Sequence, residues 1–321
     1  MMPITEEAQE RLAGIPNLTV SRDTPLARYT RFGIGGPADL FADAASPEAF
    51  ADAIRTACTA GIPVMVIGGG TNLIVSDAGF RGLVLRYTAN RIVAQGAVVT
   101  AESGAVLQDV VDFSNAHGLK GLETLAGIPG WVGAAVYGNA GAYGHSLHER
   151  VLRVRFFDGA AVRCLNNEEC EFRYRESIFK RRKQWVILAT DLDLSPDDVP
   201  SLQKISADIL KIRNEKFSPT MKCAGSIFKN FLLRDLPPAV AAQVPAAVVR
   251  EGKIPAAWFL EQVGSKGTKR GQIRVADYHA NLIYNEGGGT AADLCGLIGE
   301  LKQRVRDRFG IEVEEEVQYV G

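Results

Sequence analysis

Cysteine is scarce in this chain and follows no pattern. The five that occur (Cys58, Cys164, Cys170, Cys223 and Cys295) are odd in number and form no CxxC pair. That excludes a disulfide scaffold and points to reduced thiols, most of them packing residues, in a cytoplasmic protein. Cys164 and Cys170 are close enough to meet across a turn, but their spacing fits no metal-ligand motif. His145 and His148 form an HxxH pair in a glycine-bounded loop without a carboxylate constellation, so they read as solvated residues and no metal is expected. Charge of one sign is also missing. A formal net charge of −1 offers nucleic acid no basic footprint and leaves any anionic ligand to local donors. No stretch approaches the roughly 18 apolar residues of a transmembrane helix. The richest, Pro238 to Val249, is broken by Gln243 and Pro245. The start, Met1 to Ala8, lacks the basic and apolar regions of a secretion signal. There are no repeats. The expectation is a globular protein with neither membrane insertion nor nucleic-acid partner, and nothing demands a second copy, so a monomer is expected.

What the chain has instead is glycine, concentrated in two places. Pro63 to Ile67 reads as a short buried strand and Gly82 to Leu85 as another. Between them Gly68-Gly69-Gly70-Thr71-Asn72, running on to Leu73, can turn tightly at positive φ. It leaves backbone N–H groups unshielded, with a hydroxyl and an amide close by. Such a nest suits a pyrophosphate. It is no P-loop, which needs Gly-Lys-Ser/Thr, and no Rossmann turn, which needs GxGxxG opening a helix. A strand-to-strand turn that binds nothing is the alternative. The second place is Ala126 to Gly144, too rich in glycine for an ordinary helix or strand. Its small residues let backbone come close to a flat ligand or its phosphates.

At 321 residues more than one core is expected. Helices are expected over Thr5–Leu12, from the cap Ser46 and Pro47 to about Ala60, near Val106–Ala116, over Leu202–Arg213, Pro255–Val263 and Ala291–Phe309. Strands are expected at Leu40–Ala44, Arg91–Ala101, Val151–Phe157, Ala161–Cys164, Trp185–Leu192 and Ile311–Val320, with a hairpin at Asp158-Gly159. Gly287-Gly288-Gly289 resembles a phosphate loop but reads better as entry to the helix that Thr290 and Asp293 cap. The segmentation is α+β: a lobe over residues 1–85, a second over 86–197, and a separate domain over 198–311. The strand 312–321 closes the chain.

Taken together the two glycine-rich segments resemble the FAD-binding loops of the two-lobed vanillyl-alcohol-oxidase fold. More narrowly, they resemble the UDP-N-acetylenolpyruvoylglucosamine reductase family of peptidoglycan precursor synthesis. The likeness extends through Thr30 to Asp39 (TRFGIGGPAD), Tyr174 to Ser177 (YRES), Ala224 to Asn230 (AGSIFKN) and Glu316 to Tyr319 (EVQY), in order along nearly the whole chain. It implies noncovalent FAD, NADPH as co-substrate and a UDP-sugar substrate. Residues 1–85 and 86–197 would be FAD-binding lobes, with 312–321 returning to the second, and 198–311 would bind substrate. Hydride would pass from NADPH to FAD and from flavin N5 to C3 of an enolpyruvyl ether, with a proton to C2. The cofactor contacts implied are Gly68, Gly69, Gly70, Thr71, Asn72, Leu73, Gly127, Ile128, Pro129, Gly130, Gly133, Asn139, Gly141, Ala142 and Tyr143. The short spacer between Arg175 and Ser226 leaves little room for the tyrosine-bearing loop of the larger subtype, so the likeness is to the loop-less type II.

Three residues match the family's catalytic positions. Arg175 would hold the carboxylate on which charge develops, because guanidinium is a planar fork that stays charged. Arg173 competes, lying on the same face if the segment is extended. Ser226 would protonate C2, competent because a carbanion is a stronger base than an alkoxide. On its own it reads as a capping or turn serine, and no His/Asp context makes it a nucleophile. Glu316 is the third, with Glu314 sharing its face by alternation. Lys229, Asn230 and Lys266 match contacts to the UDP diphosphate. Phe231 stands where the family commonly has proline, and Gln318 where it commonly has arginine. The competing functions are an FAD-dependent alcohol oxidase of the same fold and a non-catalytic nucleotide-binding protein.

Overall fold

The structure is a computed structural model that describes residues 4–321. Met1 to Pro3, where the reading of the N-terminus begins, lie outside the described residues. The chain divides into two compact units. One comprises the residues up to Thr24, Ala38–Gly70 and Arg81–Pro219; the other comprises Pro25–Pro37, Thr71–Phe80 and Thr220–Gly321.

The first unit holds two sheets. One runs in the order Leu18–Pro25, Pro37–Ala44, Phe80–Tyr87, Val64–Val66, the last two parallel. The helices Glu6–Ala13 and Pro47–Thr59 cover it, capped by Thr5 and Ser46 as their side chains require. Phe50 is fully buried there and meets Tyr87 and Phe157 edge-on. The other sheet is antiparallel throughout, in the order Val162–Asn166, Val151–Phe157, Val186–Asp193, Val98–Glu102, Ile92–Gln95. Asp158 closes its hairpin by accepting from the N–H groups of Ala160 and Ala161. Leu107–Ala116 packs with the helix Val199–Lys216, where buried Asn115 donates to Ser206 at 2.8 Å. This contact carries that helix into the first unit, past the expected limit at residue 197.

In the second unit Cys223–Ser226, Leu282–Asn285, Ile273–Val275 and Lys269–Arg270 form an antiparallel sheet. The helices Ala256–Gln262 and Ala291–Phe309 accompany it, with Phe231, Trp258, Phe259 and Phe309 meeting ring on ring. The C-terminal strand is shorter than alternation suggests. Only Gln318–Val320 is regular, and it pairs in parallel with Leu73–Val75, within the stretch expected to be the first lobe. Gly287-Gly288-Gly289 is a helix entry: Gly287 and Gly289 donate to Asn285 Oδ1, and Asp77 accepts from the helix's first N–H groups, Ala291 and Ala292.

All five cysteines are unbridged. Only Cys170 and Cys223 are buried, so the expectation that most of them pack inside is corrected. Burial pushes the Cys170 thiol up to about 12. Among the described residues no helix is long and apolar enough to cross a membrane.

Asp191 is 1% exposed in the antiparallel sheet. Thr100 donates to it at 2.7 Å, Arg153 donates to its other oxygen, and Arg155 lies 3.4 Å away. Burial alone would raise its pKa. The bonds from Arg153 and Thr100 and the two guanidinium charges outweigh burial and hold the carboxyl below its ordinary range. A folded value below the unfolded one means stability that is present above about pH 4 and lost as pH falls through the depressed value. Asp191→Asn is therefore expected to cost about 1–3 kcal/mol at pH 7. Urea titrations of both proteins at pH 7 and near pH 3 check this, the gap narrowing in acid.

Candidate active site

In the first unit the glycine run is held by what lies behind it. The Ile67 N–H still bonds Leu85 as part of the parallel pairing, and then the chain leaves the ladder. A Cβ on Gly69 would come within 3.1 Å of the Trp131 indole, so only glycine lets the loop lie on that ring. Trp131 is itself held, with the Arg86 guanidinium 5.1 Å from its centroid and Asp43 gripping Arg86 through two 2.7 Å bonds. The N–H groups of Gly68, Gly69 and Gly70 donate to no acceptor among the described residues. Three adjacent unpartnered donors fit an anionic diphosphate.

The second glycine segment lies along residues 103–107. Leu107 donates to the Gly130 carbonyl, and Val132 and Gly133 donate to Ala105 and Ser103. Gly127 N–H donates to Gln108 Oε1 at 2.7 Å and Ile128 N–H to Leu125. A Cβ on Gly133 would sit 2.8 Å from that of Ser103, whose buried hydroxyl has no partner. Pro129 lies between these anchors. Gly141-Ala142 and His145-Ser146 pair as a hairpin whose tip, Tyr143-Gly144, is exposed at positive φ. His145 pairs with Glu149 at 2.9 Å, while His148 bonds Ser146 and tilts against Phe172, so His148 is more than a solvated loop residue.

Arg175 belongs to the same neighbourhood. Arg173 and Glu176 exchange both backbone bonds, at 3.0 and 3.1 Å, which makes Tyr174-Arg175 the tip of a tight turn. Arg175 takes φ +57° there. The segment is thus not extended, and alternation does not place Arg173 beside Arg175. Arg173 is exposed. Arg175 is half-buried, donating to the Gly141 and Asn139 carbonyls at 2.9 and 3.4 Å. The turn is fixed from below, since buried Asn139 donates to the Arg173 carbonyl at 2.9 Å and accepts from His148 N–H. Lys180 bonds the Arg175 carbonyl at 2.8 Å.

In the second unit Ser226 ends the strand Cys223–Ser226, opposite Leu282. It is half-exposed, and its hydroxyl bonds nothing among the described residues. The Glu316 N–H donates to the Ile227 carbonyl at 2.7 Å, so Ser226 and Glu316 hang from neighbouring peptides. Asn72 Nδ2 donates to the Glu316 carbonyl at 2.9 Å, and Gln318 N–H returns to the Asn72 carbonyl. The members of the acidic triplet part company. Glu314 is exposed and meets Lys229, Glu315 meets Lys302 at 2.7 Å, and Glu316 is half-buried. Asn230 Oδ1 accepts from Ala256 N–H, at the start of a helix, and Lys266 pairs with Glu261 at 2.8 Å. The structure thus brings Ser226, Glu316, Asn72 and Lys229 together in one unit, and Arg175 with the Gly141 loop in the other. Thr71, Asn72 and Leu73 lie in the second unit and Gly68 to Gly70 in the first.

Two cations escaped the sequence reading. Arg213 lies against the Gly127 loop, where a Cβ on Gly127 would sit 2.9 Å from its Cδ. Burial and the neighbouring Arg213 both lower the Lys216 pKa. Helical spacing puts these two on one face, but the pattern was followed only to Arg213.

Comparison with known proteins bears on what this assembly is. A family model described as FAD binding domain matches residues 38–164, and one described as UDP-N-acetylenolpyruvoylglucosamine reductase, C-terminal domain, matches residues 218–320. The UDP-N-acetylenolpyruvoylglucosamine reductase of Solibacter usitatus is 70% identical over 97% of this chain and all of its own. That of Bacillus subtilis is 32% identical over 100% of this chain and 99% of its own. The crystal structure of the Thermus caldophilus enzyme superposes with a TM-score of 0.74 at 28% identity, covering 95% of this chain and 100% of that one. The fold is the α+β, FAD-binding one that the glycine segments suggest. With a relative this similar along its full length and models matching both halves, the chain belongs to the UDP-N-acetylenolpyruvoylglucosamine reductase family, and not to the alcohol oxidases or non-catalytic nucleotide binders.

Proposed function

We propose that the chain reduces UDP-N-acetylglucosamine enolpyruvate to UDP-N-acetylmuramate in the cytoplasm, with NADPH as reductant and noncovalent FAD between the two, as a monomer. When bound, FAD supplies the hydride acceptor for NADPH and the hydride donor for C3. The chain's own residues do the rest. The N–H groups of Gly68, Gly69 and Gly70 hold the cofactor diphosphate, and the Gly127–Gly133 and Asn139–Tyr143 loops enclose it. Charge developing at C2 spreads into the adjacent carboxylate, where the Arg175 fork stabilises it. The Ser226 O–H bond breaks as its proton passes to C2, and solvent restores the hydroxyl proton. Glu316 stands by as the second polar group at the reacting carbon. Lys229, Asn230 and Lys266 serve the UDP diphosphate, as do Arg213 and Lys216. The observation that carries this reading is the unengaged Ser226 hydroxyl, one peptide from the bond that anchors Glu316.

Ser226→Ala tests it. NADPH should reduce the flavin at a near-normal rate, while reoxidation by the enolpyruvyl substrate slows by roughly 10²–10⁴-fold. Equal loss in both half-reactions would instead indicate a cofactor or folding defect. Stopped-flow on four further variants decides the neighbouring assignments. Arg175→Lys and Glu316→Gln should lower only the reoxidation rate, since a point charge does not reproduce the fork. Arg173→Lys should be silent. Glu314→Gln, which releases Lys229, should move substrate affinity but not the saturated rate. Acid precipitation should leave FAD in the supernatant; chromophore retained on the pellet would mean a covalent tether.

A further inference from the structure

We propose that Asn281 is a positioning residue for the proton transfer: its carboxamide fixes the backbone immediately after Ser226 and thereby sets where the Ser226 hydroxyl stands. The inference rests on the reading of Ser226 as proton donor. Ser226 is the last residue of its strand with a partner in the ladder, Leu282. Beyond it the partner chain turns away, with Leu282 N–H bonding back to His279 and Ala276 N–H to Leu282. Asn281, 2% exposed, fills the gap with its own groups. Its main-chain carbonyl accepts from Ile227 N–H at 3.1 Å. Its Oδ1 accepts from Phe228 N–H at 2.9 Å, and its Nδ2 donates to the Phe228 carbonyl at 2.8 Å. The side chain behaves as an extra peptide group, pairing with both polar groups of Phe228 as a strand would.

The other side of Ser226 has no such hold. Gly225 sits at φ +81°, with open space where a Cβ would be, and the ladder slips register between Cys223 and Ser226. A hinge therefore precedes the serine and a clamp follows it, so the clamp determines its position. Glu316 is less dependent, because Asn72 holds its carbonyl independently. Proton transfer demands heavy atoms within about 2.6–3.2 Å, and a misplacement near 1 Å costs on the order of 10²-fold. Asn281→Asp is close in size but turns an acceptor toward the Phe228 carbonyl, so the two oxygens repel.

The test compares Asn281→Asp, Ser226→Ala and the double variant. Asn281→Asp is expected to slow flavin reoxidation by about 10–100-fold, with reduction by NADPH unchanged within about 2-fold. Amide exchange at Ile227 and Phe228 should rise in the cofactor-free protein. In the Ser226→Ala background it should add less than about 3-fold, because the group it positions is gone. If Asn281→Asp does not fold, Asn281→Gln, which keeps both amide groups on a longer stem, must slow reoxidation selectively. A reoxidation rate unchanged in the folded variant, equal loss in both half-reactions, or full multiplication of the two deficits overturns the proposal for Asn281. A normal reoxidation rate in Ser226→Ala overturns the proton-donor reading itself.

Discussion

A backbone N–H that donates to nothing has to be left that way by its neighbours, and this chain keeps three of them side by side. The parallel pairing that ends at Ile67 and Leu85 delivers the chain to Gly68, and the parallel pairing of Leu73–Val75 with Gln318–Val320 takes it up again. Between the two there is no room for the loop to relax onto itself, because Gly69 lies flat against Trp131. Trp131 is in turn fixed under Arg86, and Arg86 by the bidentate grip of Asp43. The cost of unpaired donors, a few kcal/mol for groups that are fully dry, is one that a diphosphate removes on binding. The glycine run is thus the end of a chain of rigid contacts that begins in the sheet.

Elsewhere the opposite device recurs: a side-chain amide supplies the partner that the ladder lacks. Asn139 holds the Arg173 carbonyl beneath the Arg175 turn, Asn72 holds the Glu316 carbonyl, and Asn281 holds Phe228 beyond Ser226. Asn285 does the same for the Phe32 carbonyl and the entry to the long helix. The reason is geometric. A polar residue that must face a ligand sits best where the strand has just ended, and there the backbone has lost its regular partner. Asparagine carries one donor and one acceptor group on a short stem with little rotamer freedom to lose, which makes it the smallest replacement for a peptide unit.

How far the sequence could be read follows from which of these devices leaves a pattern. The long helix Ala291–Phe309 and the capped Pro47–Thr59 were legible because a cap and a 3.6-residue period are local. The antiparallel sheet was legible because its strands are short, β-branched and separated by turn residues. The glycine segments showed through because few other uses justify their entropic cost. What failed was alternation applied where no strand exists. Arg173 to Glu176 reverse direction through an arginine at φ +57°, and Glu314 to Glu316 run along irregular chain, each toward a different neighbour. The helix Val199–Lys216 was seen, but its side was not, because the buried Asn115–Ser206 bond that assigns it has no periodic signature.

The two departures from the family pattern can be judged by the same logic. Phe231 stands where proline is common, and its ring is received by Phe259 at 4.9 Å, edge to face, within the cluster that also holds Trp258 and Phe309. An aromatic contact of this kind compensates for lost backbone stiffness at the strand that follows Asn230. Gln318, where arginine is common, keeps its backbone duty: its N–H bonds the Asn72 carbonyl, closing the ring through which Asn72 holds Glu316. That duty asks nothing of the side chain, which reaches only its neighbour's carbonyl. A change at 318 therefore alters the charge beside Glu316 while leaving its anchorage intact. The electrostatics of that corner can vary among relatives without disturbing the placement on which the chemistry depends.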